Sequence, residues 1–139
     1  MRITIVALLL VTACATGYHE SNLAGGFSDT QLQDDTFRVY FHGNAFTTAE
    51  EMSDYTMLRA AEVALDHGFK FFVVADQAQT TIVGAAGTRG SISIYQVGAN
   101  HSQTIVCYPD KPQAMALVYD ANAVYGSITT KYRIHPKTK

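Results

Sequence analysis

The chain has 139 residues, 47% of them apolar and 16% charged, with a formal net charge of −2 and two cysteines. Such a length supports one domain of ordinary size. A mildly acidic chain with no lysine-rich cluster lacks the electrostatic footprint of a nucleic-acid binder, and equally that of a protein held to anionic headgroups by charge.

The N-terminus reads "MRITIVALLLVTACATGYHE". Its apolar run, Ile3–Val11, is nine residues broken only by Thr4. As a helix it covers about 14 Å at 1.5 Å per residue, well short of the roughly 30 Å of a hydrocarbon core. A short apolar run behind a single basic residue, Arg2, has the layout of a secretory signal peptide. The alternative is a buried first strand, since Ile3-Thr4-Ile5-Val6 has β-propensity. Val11-Thr12-Ala13-Cys14 resembles the lipobox of bacterial lipoproteins, an aliphatic residue and two small residues before a cysteine. That resemblance implies cleavage before Cys14, with residues 1–13 as the signal peptide. It also implies a diacylglycerol on the Cys14 sulfur and an N-acyl chain on the new amino terminus. Membrane lipid is then a partner through Cys14, and no other cofactor is expected. Two or more chains anchor stably where one does not, each buried methylene contributing about 0.8 kcal/mol. Ala15 stands where Asp tends to retain such proteins at the inner membrane, so in a two-membrane host the expected location is the periplasmic leaflet of the outer membrane.

Removing residues 1–13 from the 139 leaves 126 and shifts the net charge to about −3. Cys107 is then a single cysteine in an oxidising compartment, which points to burial or to an intermolecular partner. Its setting in Thr104–Tyr108, a strand-like run, favours burial, where free cysteine behaves as a small hydrophobe. Without lipid on Cys14, a Cys14–Cys107 bridge is the rival.

Residues 14–35 have no sustained period and read as a lipidated cysteine followed by a flexible tether, though Phe27 and Leu32 give its later half a means to dock. The domain is expected over 36–135, with 136–139 as a tail. Thr36–Gly43 alternates, with Phe37, Val39 and Phe41 on one face and Arg38, Tyr40 and His42 on the other, the pattern of a half-buried strand. Thr47–His67 is the clearest helix. Its capping box fits either Thr47/Glu50 or Thr48/Glu51, and Gly68 is its stop. Met57, Leu58, Ala60, Ala61, Ala64 and Leu65 form its inner arc; Glu51, Tyr55, Glu62 and Asp66 lie opposite. Phe69–Asp76 is a strand, apolar in part on both faces and so central, which makes a β-α-β unit with its predecessors. Gln77–Arg89 is polar and glycine-rich and reads as a loop. Ser91–Val97 and Gln103–Tyr108 read as two strands around a hairpin turn at Gly98–His101. Ala114–Tyr119 is ambiguous, and from Asp120 the spacing of Ala121, Val124, Tyr125, Ile128 and Tyr132 predicts a short second helix capped by Asp120. The expected class is α+β: a small, mostly antiparallel sheet of about 4–5 strands with one long helix and one short C-terminal helix packed on one face.

Four segments, "GGFSDTQLQDDTFRVYFHGNAFT", Met57-Leu-Arg-Ala-Ala-Glu62, "HGFKFFVV" and "VYDANAV", give the chain a resemblance to a family of small uncharacterised Gram-negative bacterial lipoproteins. It covers most of the mature chain. It implies a lipoprotein and implies no catalytic residues, because that family has no assigned activity to carry over.

The residues themselves offer little chemistry. His19, His42, His67, His101 and His135 are scattered, with no pair at helical i, i+4 spacing and no Cys-x-x-Cys, so no metal site is expected. Gly84–Gly90 lacks the Gly-Lys-Ser/Thr ending and the following helix of a phosphate-binding loop. There is no Gly-x-Ser-x-Gly, and Ser28-Asp29 is turn chemistry. Glu50-Glu51 sit in a helix's first turn, where the dipole favours negative charge. Tyr40, His42 and Phe72 are the candidate interaction surface, an aromatic groove unless the second helix covers them. The expected function is a non-enzymatic, membrane-anchored cell-envelope lipoprotein of structural or protein-interaction type, with another envelope protein as partner. The alternative is a periplasmic small-ligand or peptide binding module, and an envelope hydrolase comes third.

Overall fold

The structure, a computed structural model, describes residues 14–135. The signal peptide assigned to 1–13 and the tail at 136–139 lie outside the described residues. The elements in chain order are β1 (Gly26–Gln33), β2 (Thr36–Asn44), α1 (Ala49–Asp66), β3 (Phe71–Thr88), β4 (Ser91–Tyr108), β5 (Tyr119–Asp120) and α2 (Ala121–Tyr132). The five strands form one sheet in the order β1-β2-β4-β3-β5, and every pairing is antiparallel. With the two helices, this is the expected α+β class.

Because β2 and β3 both pair antiparallel with β4, they run parallel to each other with β4 between them. The predicted β-α-β unit is therefore split. α1 starts where its caps require. Thr48 Oγ1 accepts the Glu51 N–H at 3.1 Å, and the Glu51 carboxylate accepts the Thr48 N–H at 2.8 Å. Of the two registers the sequence allows, the box is Thr48/Glu51; such a cap stabilises by about 0.5–2 kcal/mol. Gly68, at φ +82, takes the left-handed turn that ends the helix.

The core lies between the sheet and the helices. Phe37 and Val39 of β2, Ile105 and Cys107 of β4 and Phe72 of β3 pack against Ala60, Ala61, Val63 and Ala64 of α1. The alanines let the helix backbone approach the sheet closely. A second cluster gathers Phe27, Phe41, Met52, Tyr55 and Ala99. The sequence puts Tyr55 on the water side of α1, but it is only 7% exposed. Its ring meets Phe41 at 5.0 Å, Tyr132 of α2 at 4.9 Å and Tyr18 at 5.6 Å. A helix flanked by a second helix and by the N-terminal segment buries a wider arc than one lying on a sheet alone.

Three loop assignments are corrected. Gly26–Gln33 is a strand, not tether, and it pairs with β2 from Gly26↔His42 to Gln33↔Thr36. Gln77–Thr88 is strand, part of the 18-residue β3. Gly98–His101 is not a turn either, since β4 runs through it unbroken. The hairpin turn is Arg89-Gly90, after the Thr88↔Ser91 pair, with Gly90 at φ +102. The glycines that suggest a loop serve the ladder instead. A Cβ on Gly84 would stand 2.9 Å from the Tyr95 ring, so glycine lets that ring lie across the neighbouring strand.

Candidate functional site

The segment from Cys14 to Phe27 is held to the domain by side-chain hydrogen bonds, where the sequence predicts a tether. Cys14 is exposed, and its carbonyl accepts a hydrogen bond from Asn44 Nδ2 at 2.9 Å. Thr16 is buried. Its N–H donates to Thr47 Oγ1 at 3.0 Å, its hydroxyl donates to the Ala24 carbonyl at 3.1 Å, and its oxygen accepts the Asn44 N–H at 3.0 Å. These bonds satisfy backbone groups at the end of β2 that the sheet leaves open.

Tyr18 completes the docking. Its ring packs on Phe27 at 4.6 Å, and its hydroxyl donates to Glu62 at 2.5 Å. Arg59 of α1 sits 4.6 Å over the Phe27 ring, forks onto Asp29 of β1 at 2.7 Å and reaches Glu62 at 2.9 Å. Burial works against the Arg59 charge, but Asp29 and Glu62 outweigh it and hold its pKa above the ordinary value. Burial, reinforced by Glu62, pushes the Tyr18 phenol well above its ordinary value, so it stays a donor. The cluster ties the N-terminal segment, β1 and α1 together. It borders a groove of ≈ 490 Å³ that Glu20, Ser28, Asp29 and Arg59 line.

The sheet face opposite the helices carries two of the three predicted surface residues. The Tyr40 and His42 rings stack at 6.2 Å with an interplanar angle of 6°, and His42 Nδ1–H donates to Asn100 Oδ1 at 2.8 Å. Phe72 does not join them. Tyr40 pairs with Ser102 and Phe72 with Cys107, and positions 102 and 107 of β4 face opposite ways. Phe72 is therefore fully buried on the helix side, stacked on Tyr119 at 5.3 Å. The predicted groove is corrected to a Tyr40–His42 patch, and α2 does not cover it because α2 lies beside α1 on the other face.

His101 and Cys107 point into the core. Both cysteines are free, so no Cys14–Cys107 bridge forms, and burial with help from Asp35 pushes the Cys107 thiol up to about 12. Thr56 donates its hydroxyl to the Met52 carbonyl at 2.7 Å and so accepts from His101 Nδ1–H at 3.1 Å. Gln103, two residues along, has a buried side-chain oxygen without a hydrogen-bond partner among the described residues. Burial lowers the His101 pKa, so the unfolded chain takes up the proton first as pH falls. The His101 contribution to stability is full above its unfolded pKa of about 6.5 and is lost as pH falls toward the lower native value. Urea unfolding of the wild type is expected to weaken between pH 7.5 and 5, and His101→Gln to flatten that slope; an unchanged slope would count against a neutral buried imidazole.

No group of three or more His, Cys, Asp or Glu is placed to hold a metal among the described residues. Asp29 and Glu62 are engaged by Arg59, and Ser28 faces Tyr40 across the β1–β2 ladder. The site offers hydrogen-bonding groups and aromatic surface for contact. The sequence missed the Tyr18–Arg59 cluster, whose members come from three separate segments; only Phe27, marked as a means for the segment to dock, signalled it. Comparison with family models, with curated proteins and with solved structures returns no match.

Proposed function

We propose that the protein is a cell-envelope lipoprotein, anchored by acylated Cys14 in the periplasmic leaflet of the outer membrane, which presents its α+β domain to another envelope protein. The observation that carries this reading is the lipobox-like Val11-Thr12-Ala13-Cys14 behind a run too short to cross a bilayer. The exposure of Cys14 on the domain surface supports it, since an acylating enzyme needs that sulfur accessible. The open Tyr40–His42 face is the surface offered to the partner, because aromatic rings with a polar handle are enriched where proteins meet. The proposed membership of the small Gram-negative lipoprotein family rests on the same leader and on the Gly25–Val74 pattern.

Cys14→Ser is expected to abolish incorporation of labelled fatty acid and to move the protein out of the acylated membrane fraction, with the folded domain unchanged by circular dichroism. Unaltered labelling and fractionation would overturn the anchor.

One observation favours the second reading, a small-ligand or peptide binding module. A depression of ≈ 480 Å³ on the open face is lined by His42, Asn44, Ile82, Val97 and Asn100, which joins the sheet face to the segment beyond Gln77. It is shallow, and a protein side chain or peptide fits it better than an enclosed small molecule.

A further inference from the structure

Beyond Gly98 the sheet narrows to two strands. β2 ends its pairing with β4 at Asn44↔Gly98, and β5 meets β3 only at Phe71 and Phe72. The rest of β3 and β4 projects as an arm from Ile82↔Gly98 to the turn at Arg89-Gly90, about 25 Å at 3.3 Å per residue.

The cross-strand register sorts its side chains. Val83, Ala85 and Gly87 pair with Gln96, Ile94 and Ile92, so these share one face. Gly84, Ala86 and Thr88 pair with Tyr95, Ser93 and Ser91 on the other. The first face is apolar and open: Val83 is 61% exposed, Ile92 76% and Ile94 72%. The second carries hydroxyls. Arg89, at the tip, is the one charged residue from Gln77 to Asn100. An amphipathic ribbon with isoleucines standing in water calls for a flat apolar cover.

The root of the arm says what covers it. Asn44, the last β2 partner of β4, holds the Cys14 carbonyl, so the residue that would bear the acyl chains sits where the arm leaves the sheet. Thr16 and Tyr18 dock the chain just after it, which leaves no spacer to lift the domain from the bilayer. We propose that the β3–β4 arm is a second membrane-contact element, lying flat on the lipid surface with its Val83–Ile92–Ile94 face toward the acyl chains. The proposal rests on the anchoring reading for the position of the bilayer. The outer edges of the arm are unpaired beyond Gly98 among the described residues, and hydrocarbon does not tolerate open strand edges. The arm therefore stays at headgroup depth, where water meets its edges and its hydroxyl face, and Arg89 reaches phosphate.

The chain contains no tryptophan, so Ile94→Trp installs a single reporter in the full acylated protein. In phosphatidylethanolamine/phosphatidylglycerol vesicles doped with brominated phosphatidylcholine, Trp at position 94 is expected to be quenched at least about two-fold, as for a side chain buried at the headgroup–acyl boundary. Bromines near the glycerol end should act more strongly than those near the chain terminus. Tyr40→Trp, on the body, should be quenched far less, and Ile92→Trp serves if the first variant folds poorly. Acylation verified by mass with no selective quenching at 94 overturns the arm while leaving the anchor. A blue-shifted, unquenched Trp with crosslinks between copies also overturns it, making the arm an interface between copies. If mass shows no acylation, the anchor fails separately; quenching by added vesicles then still upholds lipid contact by the arm, and its absence refutes it.

Discussion

Phe72→Ala is expected to lower the free energy of unfolding by about 3–5 kcal/mol, the range for emptying a buried aromatic site. Phe72 is wholly excluded from solvent, belongs to the main core with Phe37, Cys107 and Ala121, and stacks on Tyr119. Truncation removes the ring's transfer free energy and leaves a void that α1, pinned through its alanines, cannot close. Tyr40→Ala and His42→Ala, on the open face, should each cost less than about 1 kcal/mol, as substitutions away from the core usually do. Urea denaturation measures all three. Had Phe72 lined a surface groove with Tyr40 and His42, the three values would be alike, so a small loss at Phe72 would refute its burial. On the proposed function, the same series separates fold from partner contact, since the open-face variants should weaken that contact while remaining folded.

Arg59→Ala is expected to cost about 2–3 kcal/mol, the scale of charge-assisted hydrogen bonds lost with carboxylates left behind. Asp29 and Glu62, both partly buried, would lose the cation they share. The guanidinium would also vanish from the Phe27 ring, and Tyr18 would be left bonded to an uncompensated carboxylate. Because this cluster clamps the N-terminal segment, residues 15–25 should become sensitive to limited proteolysis before the domain unfolds. Arg59→Lys should rescue only in part, since an ammonium lacks the planar fork that engages Asp29 and Glu62 together. Stability within about 0.5 kcal/mol of wild type and an unchanged digestion pattern would show that something else holds the segment. The consequence reaches function. On the proposed anchoring at Cys14, a clamped segment would keep the domain close to the bilayer, and a freed one would let it wander.

The most legible elements were those whose sequence carried a complete physical signal. β2 alternates without exception, and α1 has a capping box, a glycine stop and an apolar arc. β1 is hidden because only Phe27 of its helix-side positions is buried, Asp29 and Gln31 on the same face being polar, so the alternation cannot be seen. Asp29 meets Arg59 of α1, a contact no local pattern encodes. The arm was hidden for the opposite reason. With no core behind it, nothing imposes polar alternation on Gln77–Val97, and glycines that accommodate a cross-strand ring look like loop residues. The sequence places Phe72 on the right strand but with the wrong neighbours, because the face it shares with other strands is set by register across β4. The sequence places Tyr55 outward because nothing local shows that α2 and the N-terminal segment widen the buried arc of α1.

The central claim is that a nine-residue apolar leader delivers Cys14 to the lipid surface as the first residue of the mature chain. Intact-mass analysis of the protein extracted from membranes tests it most directly. The expected species begins at Cys14 and carries a diacylglyceryl group and an amide-linked acyl chain. An unmodified polypeptide that still begins at Met1 would contradict it.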